Sequence, residues 1–312
     1  MTRTARLRAF AKLNLGLRVL YKRPDGFHEL RTVFQTISLA DILTVEFTRA
    51  RKTTIEIEGT PEIPDNLVEK ATRLALEAMQ IQADVRFRLK KNIPSGAGLG
   101  GGSSDAAAVL LGLPVLAGKI IKTDHLSAIA AQLGSDVPFF LQGGTALGLG
   151  RGEELYPLPS QRVSHALLIA RDVHSSTAEA YRGVSERLTY IPLQNKLQSF
   201  QQRVWSGAMD DNDFEPVVFA QHPELGKIKA RLKRAGATIA AMTGSGSAVF
   251  GIFADAARLE RARNLFPGER VFPVSFLNGA QYRRAWNRAL RNHLDPETIE
   301  QNLWPPRSAH AK

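Results

Sequence analysis

IPSGAGLGGGSSDAAA, residues Ile93 to Ala108, is the stretch from which the rest of the chain is read. Five of the seven residues from Gly96 to Gly102 are glycine, and two serines, an aspartate and a run of alanines follow. Glycine lets backbone N–H groups approach an anion with no Cβ in the way, and a helix N-terminus adds unsatisfied donors and a partial positive charge. Glycine and serine in this density also suit a flexible linker. The flanks oppose that reading. Val85, Phe87 and Leu89 alternate with Arg86, Arg88 and Lys90, a period-two pattern that predicts a half-exposed strand running into Pro94. Behind the glycines, Ser103 or Ser104 is placed to cap a helix, with Asp105 in its first turn and Ala106, Val109, Leu110 and Leu113 along it. Strand, glycine loop and helix in that order predict a phosphate cradle.

Two familiar cradles do not fit. GAGLGG at 96 to 101 satisfies GxGxxG, but a dinucleotide-binding strand is buried on both faces, whereas this one carries a charge at every second position. A Walker loop ends in Gly-Lys-Ser/Thr, and no lysine follows Gly102.

Upstream, Ala5 to Leu20 predicts a long first strand, with Leu7, Ala9, Ala11, Leu13, Leu15, Leu17 and Val19 on one face and Lys12 and Asn14 together on the other. Taken alone, that second face reads as the wet side of an edge strand. A turn follows at KRPDGFHEL, with Phe27 and His28 directly behind Pro24-Asp25-Gly26, a placement suited to reading a flat ligand. Strands are expected at Ile42 to Phe47 and Thr53 to Glu58, then a helix capped by Asp65 with Leu67, Val68, Ala71, Leu74, Ala75 and Ala78 at helical spacing. Downstream, Leu126 to Leu133 reads as helix, and Asp136 stands where another begins, with Pro138 among its first residues. Asp136 therefore reads either as an N-cap or as a carboxylate desolvated by Val137, Phe139, Phe140 and Leu141 and so fitted to act as a general base.

YPLPSQRV, Tyr156 to Val163, places a domain boundary near residue 160. Beyond it the expected elements are a strand at His165 to Ala170, helices, strands at Thr238 to Met242 and Ala248 to Phe253, a helix at Asp255 to Phe266 and a strand at Val271 to Phe276. That is the βαββαβ order of a ferredoxin-like domain with an extra helix or two after its first strand. TGSGSA, between the two central strands, satisfies a hairpin turn and also offers a second nest of N–H donors at Gly244, Ser245 and Gly246. The last segment, 279–312, carries a basic helix at Tyr282 to Leu294 and reads as a surface helix with a frayed end.

At 312 residues and 44% apolar content the chain has enough material for two packed domains, divided as 1–160, 161–278 and the 279–312 extension. The absence of cysteine excludes disulfides, iron–sulfur clusters and thiolate zinc sites, and fits a cytoplasmic setting. No apolar run approaches the roughly 20 residues of a membrane span, and Met1 to Arg8 lacks the apolar stretch of a signal peptide. A net charge of +11 invites a nucleic-acid partner, with Arg3, Arg6, Arg8 and Lys12 at one end and Arg283, Arg284, Arg288 and Arg291 at the other. No zinc-finger spacing or aromatic RNA-binding signature accompanies it, and a positive field equally speeds encounters with polyanionic nucleotides.

The glycine loop and MTGSGSAVFGIF together resemble the second and third motifs of the GHMP small-molecule kinases. Within that superfamily AKLNLGL, RPDGFHEL, PSGAGLGGGSSDAA, LGSDVPFFLQGG and TGSGSA, in this order, resemble the family that phosphorylates the 2-hydroxyl of a cytidine-diphosphate-linked methylerythritol in the non-mevalonate route to isoprenoid precursors. The resemblance implies an α+β, two-domain GHMP kinase fold, with an N-terminal domain like the second domain of ribosomal protein S5 and a ferredoxin-like C-terminal domain. It implies ATP and Mg2+ as cofactors, a small-molecule substrate, no nucleic-acid or membrane partner, and a monomer or weak homodimer. Lys12 and Asp136 become the catalytic pair. Pro94, Gly96, Gly98, Leu99, Gly100, Gly101, Gly102, Ser103 and Ser104 become the ATP cradle, with Asn66 beside the adenine and Ser104 as a magnesium ligand. Asn14, Phe27, His28, Phe34, Tyr181, Gly244, Ser245 and Gly246 become substrate-binding residues, His28 reading the cytosine edge while Phe34 and Tyr181 sandwich the ring. Phe27 stands where most family members have tyrosine, and Thr243 and Ser247 replace serine and proline in the third motif. The alternatives are a GHMP kinase of homoserine or mevalonate type, which GFHEL and Tyr181 oppose because those acceptors have no base to stack, or a nucleic-acid-binding protein.

Overall fold

The computed structural model describes residues 1–59, 66–160, 165–171, 173, 177–187, 192–207, 210–301 and 303–309. Two long strands organise the first half: β1 (Arg3–Lys22) and β2 (His28–Arg49), antiparallel across the 23–27 turn. β2 takes β4 (Ala83–Lys90) against Ile42 to Arg49 and β5 (Thr145–Leu149) against Thr32 to Gln35. β3 (Thr54–Glu58) joins β4 in parallel and β6 (Glu154–Leu158) joins β5, completing a six-stranded sheet. Only Ile42 to Phe47 of β2 was legible by alternation, because burial on both faces over most of the rest removes the period-two signal. The expected boundary at Tyr156 to Val163 overlaps β6 at its start, and residues 161–163 of it lie outside the described residues.

The helices α1 (Leu67–Ala78), α2 (Gly101–Ala117), α3 (Thr123–Leu133) and α4 (Val137–Gln142) pack on this sheet. α2 is buried nearly all round, as its run of small and apolar residues requires. Neither Ser103 nor Ser104 caps it. The chain turns in at Gly100, whose φ of +69° suits glycine, so both serines already lie within the helix. Asn66 caps α1 by accepting from the Val68 N–H; the expected cap, Asp65, lies outside the described residues.

The single apolar stripe expected along β1 is not what forms. Register shifts between Phe10 and Lys12, between Asn14 and Leu17, and between Val19 and Tyr21 break the strand into segments, as β-bulges do. Leu7 and Ala9 enter the helix-covered core, Ala11, Leu13 and Leu15 enter a core shared with the second sheet, and Leu17 and Val19 enter the core of the second unit. One strand is therefore threaded through all three apolar cores.

The second sheet has the order β10 (Arg270–Val274), β7 (Ala166–Ala170), β9 (Val249–Ile252), β8 (Ile239–Met242), antiparallel throughout. Between β7 and β8 run α5 (Thr177–Arg187), α6 (Leu193–Ser206), α7 (Glu215–Gln221) and α8 (Pro223–Arg234), and α9 (Ala256–Arg263) links β9 to β10. This is the expected ferredoxin-like order with a longer helical insert than the sequence indicated. Leu167 and Ile169 face the helices, whereas Ala166, Leu168 and Ala170 face the first sheet.

The C-terminal segment corrects an expectation. α10 (Gly279–Leu290) is not a surface appendage: Tyr282, Trp286 and Leu290 are buried in the first core, and Asn278 and Gln281 form a capping box at its start. The Tyr282 hydroxyl donates to the Phe140 carbonyl at 2.5 Å, so this helix braces α4. The exposed arginines at 284, 288 and 291 dominated the sequence impression and masked the apolar stripe at 282, 286 and 290. α11 (Pro296–Glu300) follows it. Among the described residues no helix is long and apolar enough to cross a membrane.

Candidate active site

Two cavities meet at the glycine loop. One, of about 390 Å³, is lined by Lys12, Asn14, Phe34, Asp136, Arg151 and Tyr181 together with Gly244, Ser245 and Gly246. The other, of about 370 Å³, is lined by Asn66, Lys91, Asp105 and the loop from Pro94 to Ser103. Gly96, Gly98 and Gly100 border both, so the loop is a shared wall across which a group can pass.

Lys12 and Asn14 are both buried, which overturns the wet-edge reading of that face. The Lys12 ammonium donates to Asn14 Oδ1 at 2.5 Å, lies 3.4 Å from Asp136 Oδ2 and sits 5.4 Å from the centre of the Phe34 ring. Asn14 is fixed in turn: its amide nitrogen donates to Thr32 Oγ1, which donates to the Gly16 carbonyl, and its backbone N–H donates to Thr243 Oγ1. Asp136 occupies the N-cap position of α4 without making a capping hydrogen bond. Its side chain is 29% exposed and faces an ammonium, not the apolar run that follows it, so desolvation by that run is not what the fold provides. A carboxylate free of structural duty beside a fixed lysine can orient a hydroxyl and take its proton, while the lysine neutralises charge developing on the oxygens.

Backbone contacts hold the glycine loop between the two units. Lys12 N–H donates to the Leu99 carbonyl and Ala248 N–H to the Ala97 carbonyl. The TGSGSA turn lies against it, with Thr243 Oγ1 near the Gly98 carbonyl, and Asn212 steadies that turn by donating to the Met242 and Gly244 carbonyls. Asn212 also accepts from Phe214 N–H, a turn bond just before α7.

Ser104 is placed differently from the magnesium ligand the resemblance implied. It is buried, and its hydroxyl donates to the Phe10 carbonyl at 2.7 Å, facing β1 instead of the cavity, because α2 starts at Gly101 and turns this position inward. Ser103 lines the cradle.

The cradle also has a charged base that sequence reasoning missed. The Lys91 ammonium bridges the carboxylates of Asp41 and Asp105, and Asp41 accepts as well from the backbone N–H groups of Asn92 and Ile93. Burial, tempered by Lys91, pushes the Asp105 carboxyl up to about 7. This group thus favours the folded state at low pH and loses that contribution as pH rises from its ordinary range through about 7. Asp41→Ala would leave the Asn92 and Ile93 N–H groups without an acceptor and take from Lys91 one of its two carboxylates, and is expected to lower stability by about 2–4 kcal/mol. The denaturation midpoint checks this, and a shift equivalent to less than about 1 kcal/mol would remove Asp41 from that role. Lone acidic residues in strands carry no distinguishing pattern, so nothing in the sequence joined residues 41, 91 and 105.

Tyr181 and Phe214 line the first cavity, and Phe214 meets the edge of Tyr181; His28 is not in the lining but stacks on Tyr181 at 4.8 Å between ring centres. His28 Nε2 lies 2.6 Å from Ser185 Oγ. Burial, with the Lys22 charge second, lowers the His28 pKa below its usual value. Burial, with Asp136 second, raises the Tyr181 phenol above its usual range. Phe34 and Tyr181 both line the cavity. Phe34 faces inward from β2, packs on Phe139 at 5.0 Å and carries the Lys12 ammonium. Phe27 is exposed, and the Arg151 guanidinium lies 4.7 Å from its ring centre.

Comparison with known proteins gives this geometry a family. Residues 66–144 match the GHMP kinases N terminal domain and residues 196–267 the GHMP kinases C terminal domain. The chain is 52% identical over 316 aligned positions to a 4-diphosphocytidyl-2-C-methyl-D-erythritol kinase of Solibacter usitatus (strain Ellin6076), covering 99% of this chain and 98% of that protein. It is 37% identical to the kinase of the same name from Geobacillus kaustophilus (strain HTA426), over 87% of this chain and 96% of that one. Among solved structures, a 4-(cytidine 5'-diphospho)-2C-methyl-D-erythritol kinase superposes with a TM-score of 0.72 at 36% identity, over 88% of this chain and 99% of that one. A mevalonate kinase superposes with a TM-score of 0.64 at 14% identity, over 88% and 99%, a likeness of fold. With its glycine cradle, its lysine–aspartate pair and relatives aligned over nearly its whole length, the chain belongs to the 4-diphosphocytidyl-2-C-methyl-D-erythritol kinase family of the GHMP kinases.

Proposed function

We propose that this protein transfers the γ-phosphoryl group of ATP to the 2-hydroxyl of 4-diphosphocytidyl-2-C-methyl-D-erythritol, with Lys12 and Asp136 acting on the transferred group and the acceptor. The observation that carries the assignment of roles is the 3.4 Å Lys12–Asp136 pair at a cavity that shares its wall with the glycine cradle. Asp136 accepts the hydrogen bond of the acceptor hydroxyl and takes its proton as the oxygen bonds to phosphorus and the bond to the leaving ADP breaks. Lys12, held by Asn14, neutralises the equatorial oxygens in transit. The N–H groups of the loop and the α2 N-terminus hold the phosphates, Asn66 lies beside the base, and Gly244, Ser245 and Gly246 close the acceptor side.

Magnesium, brought in with ATP, would neutralise part of the phosphate charge. The donor set fits an ion carried by the nucleotide: among the described residues no three acidic, histidine or cysteine side chains gather into a metal site, and the oxygen-bearing side chains lining the two cavities, Asp136, Ser95, Ser103 and Asp105 among them, would supply single ligands. The protein works in the cytoplasm as a monomer or weak homodimer and needs no nucleic-acid or membrane partner.

Phe27, His28 and Tyr181 form the cytidine end, where a stacked base contributes on the order of 1–3 kcal/mol. Ser185 donates its hydroxyl to the Tyr181 carbonyl and so accepts from His28 Nε2, which leaves Nδ1 of the neutral ring to accept from the cytosine amino group. Because its pKa is lowered, the neutral form persists below the usual value of 6.5, and its contribution is lost as pH falls through the lowered value. The KM for the acceptor is therefore expected to be flat from pH 8 to 6.5 and to rise below, and His28→Gln should abolish that acid limb. An unchanged limb in His28→Gln would assign it to another group.

The assignment is tested by ADP release with ATP and magnesium over a panel of acceptors: the cytidine-linked methylerythritol, methylerythritol phosphate, homoserine and mevalonate. Turnover with the first alone is the expected result. Turnover with mevalonate or homoserine, and none with the first, would overturn it.

A further inference from the structure

α4 is six residues long, about 9 Å at the usual helical rise, and Asp136 stands at its start, 3.4 Å from Lys12. Its middle is a wedge. The Phe139 ring packs on Phe34, the ring that carries the Lys12 ammonium, and the Phe140 ring is so close to Gly100 that a methyl added there would meet it at 2.9 Å. A helix this short is not held by its own ladder, because its terminal N–H and C=O groups outnumber its internal bonds. Whatever grips its far end therefore sets where Asp136 lies.

At that far end Gly143 N–H still reaches the Phe139 carbonyl, but the next donor, Gly144 N–H, turns away to Thr36 Oγ1 at 3.0 Å, and the chain leaves as β5 at Thr145. The Phe140 and Leu141 carbonyls are left to the C-terminal segment. The Tyr282 hydroxyl donates to the first at 2.5 Å and Trp304 Nε1 to the second at 2.7 Å. The two donors are tied to each other, with ring centres 6.2 Å apart and Trp286 against both. Trp304 is delivered by a closed loop: Asp295 N–H donates to the Arg307 carbonyl, Ala309 N–H to the His293 carbonyl and Arg307 N–H to Thr298 Oγ1. An apolar side chain at 282 or 304 would fill the same core. Two polar atoms aimed at consecutive carbonyls do more, since they fix the axial position and rotation of α4, which non-directional burial leaves free to slide.

We propose that Tyr282 and Trp304 are positioning residues for phosphoryl transfer: by gripping the Phe140 and Leu141 carbonyls they hold α4, and with it the Asp136 carboxylate, in register with Lys12 and the acceptor hydroxyl. The inference rests on the role given to Asp136 above. It gives the 279–312 segment a part in catalysis although neither residue touches substrate.

The test is steady-state kinetics of the full chain, each variant assayed below its unfolding midpoint. Tyr282→Phe and Trp304→Phe are each expected to lower kcat by about 3- to 30-fold, with the KM for ATP and for the acceptor within about two-fold of wild type. Trp286→Phe is the packing control: it removes bulk from the same aromatic cluster, but its Nε1 donates nothing to α4, so the midpoint should fall while kcat stays within about two-fold. On an Asp136→Ala background, Tyr282→Phe and Trp304→Phe should cost less than about two-fold more, because the group they position is gone. Unchanged kcat in both single variants would overturn the inference and leave the role of Asp136 standing. So would an equal fall in Trp286→Phe, or an equal fall with and without Asp136. A loss under five-fold in Asp136→Ala alone would overturn the reading of Asp136, and the inference with it.

Discussion

Asp136→Ala is expected to lower kcat by about 10²- to 10⁴-fold while leaving the KM for ATP within a few-fold of wild type. The expectation follows from what Asp136 does not do. It stands at the N-cap of α4 but makes no capping hydrogen bond, so removing its side chain takes no cap from the helix. Among the described residues its one ion pair is with Lys12, which keeps Asn14 Oδ1 as a partner in the variant. α4 itself is secured elsewhere, by the burial of Val137, Phe139 and Phe140 and by the Tyr282 hydroxyl on the Phe140 carbonyl. Asp136→Asn keeps the shape and loses the basicity, and should fall in the same range. Single-turnover rates with saturating ATP check this. A loss under five-fold in both variants would return Asp136 to a helix-start residue.

Gly98→Ala is the second large effect, and it acts through geometry. At φ +75° a side chain is strained by roughly 1–2 kcal/mol, and a Cβ here would fall 2.2 Å from the Thr243 carbonyl oxygen and 3.1 Å from that of Gly246. Both neighbours are backbone and cannot swing aside. The loop must then retreat from the TGSGSA turn, taking with it the wall shared by the two cavities. Displacement of about 1 Å in a phosphoryl-transfer site is worth on the order of 10² in rate, so kcat/KM should fall by about that factor. Gly279→Ala, at a helix start with nothing within 4 Å of the added methyl, is the control and should leave activity unchanged. Equal activity in Gly98→Ala would mean that the close contact of loop and turn is dispensable.

The glycine loop, the turn before His28 and the ferredoxin-like order were legible because each rests on local chemistry: glycine where backbone must approach, Pro-Asp-Gly at a turn, alternation on half-exposed strands. What escaped had no local signature. β2 is buried on both faces over most of its length, so its period vanished. The bulges in β1 send Leu7, Leu13 and Leu17 to three different cores, although strict alternation assigns them one face. Ser104 was placed in the cradle by its position in the motif, but the early start of α2 turned it toward Phe10. Lys91 with Asp41 and Asp105, and Arg151 with Phe27, join residues far apart in the chain, and such pairings appear only once the sheet is assembled. Lys12 and Asn14 were the reverse case: their shared face was evident from spacing, while their burial came from Asp136, Phe34 and the glycine loop around Lys12 and from the TGSGSA turn against Asn14.

The central claim is that the chain phosphorylates the 2-hydroxyl of a cytidine-linked methylerythritol. Phosphorus and carbon NMR of the product formed from ATP tests it most directly. A new phosphomonoester resonance coupled to C2 of the methylerythritol, in one-to-one yield with ADP and with the diphosphate intact, is the predicted result. ADP without a new ester, or an ester on another hydroxyl, would contradict the account.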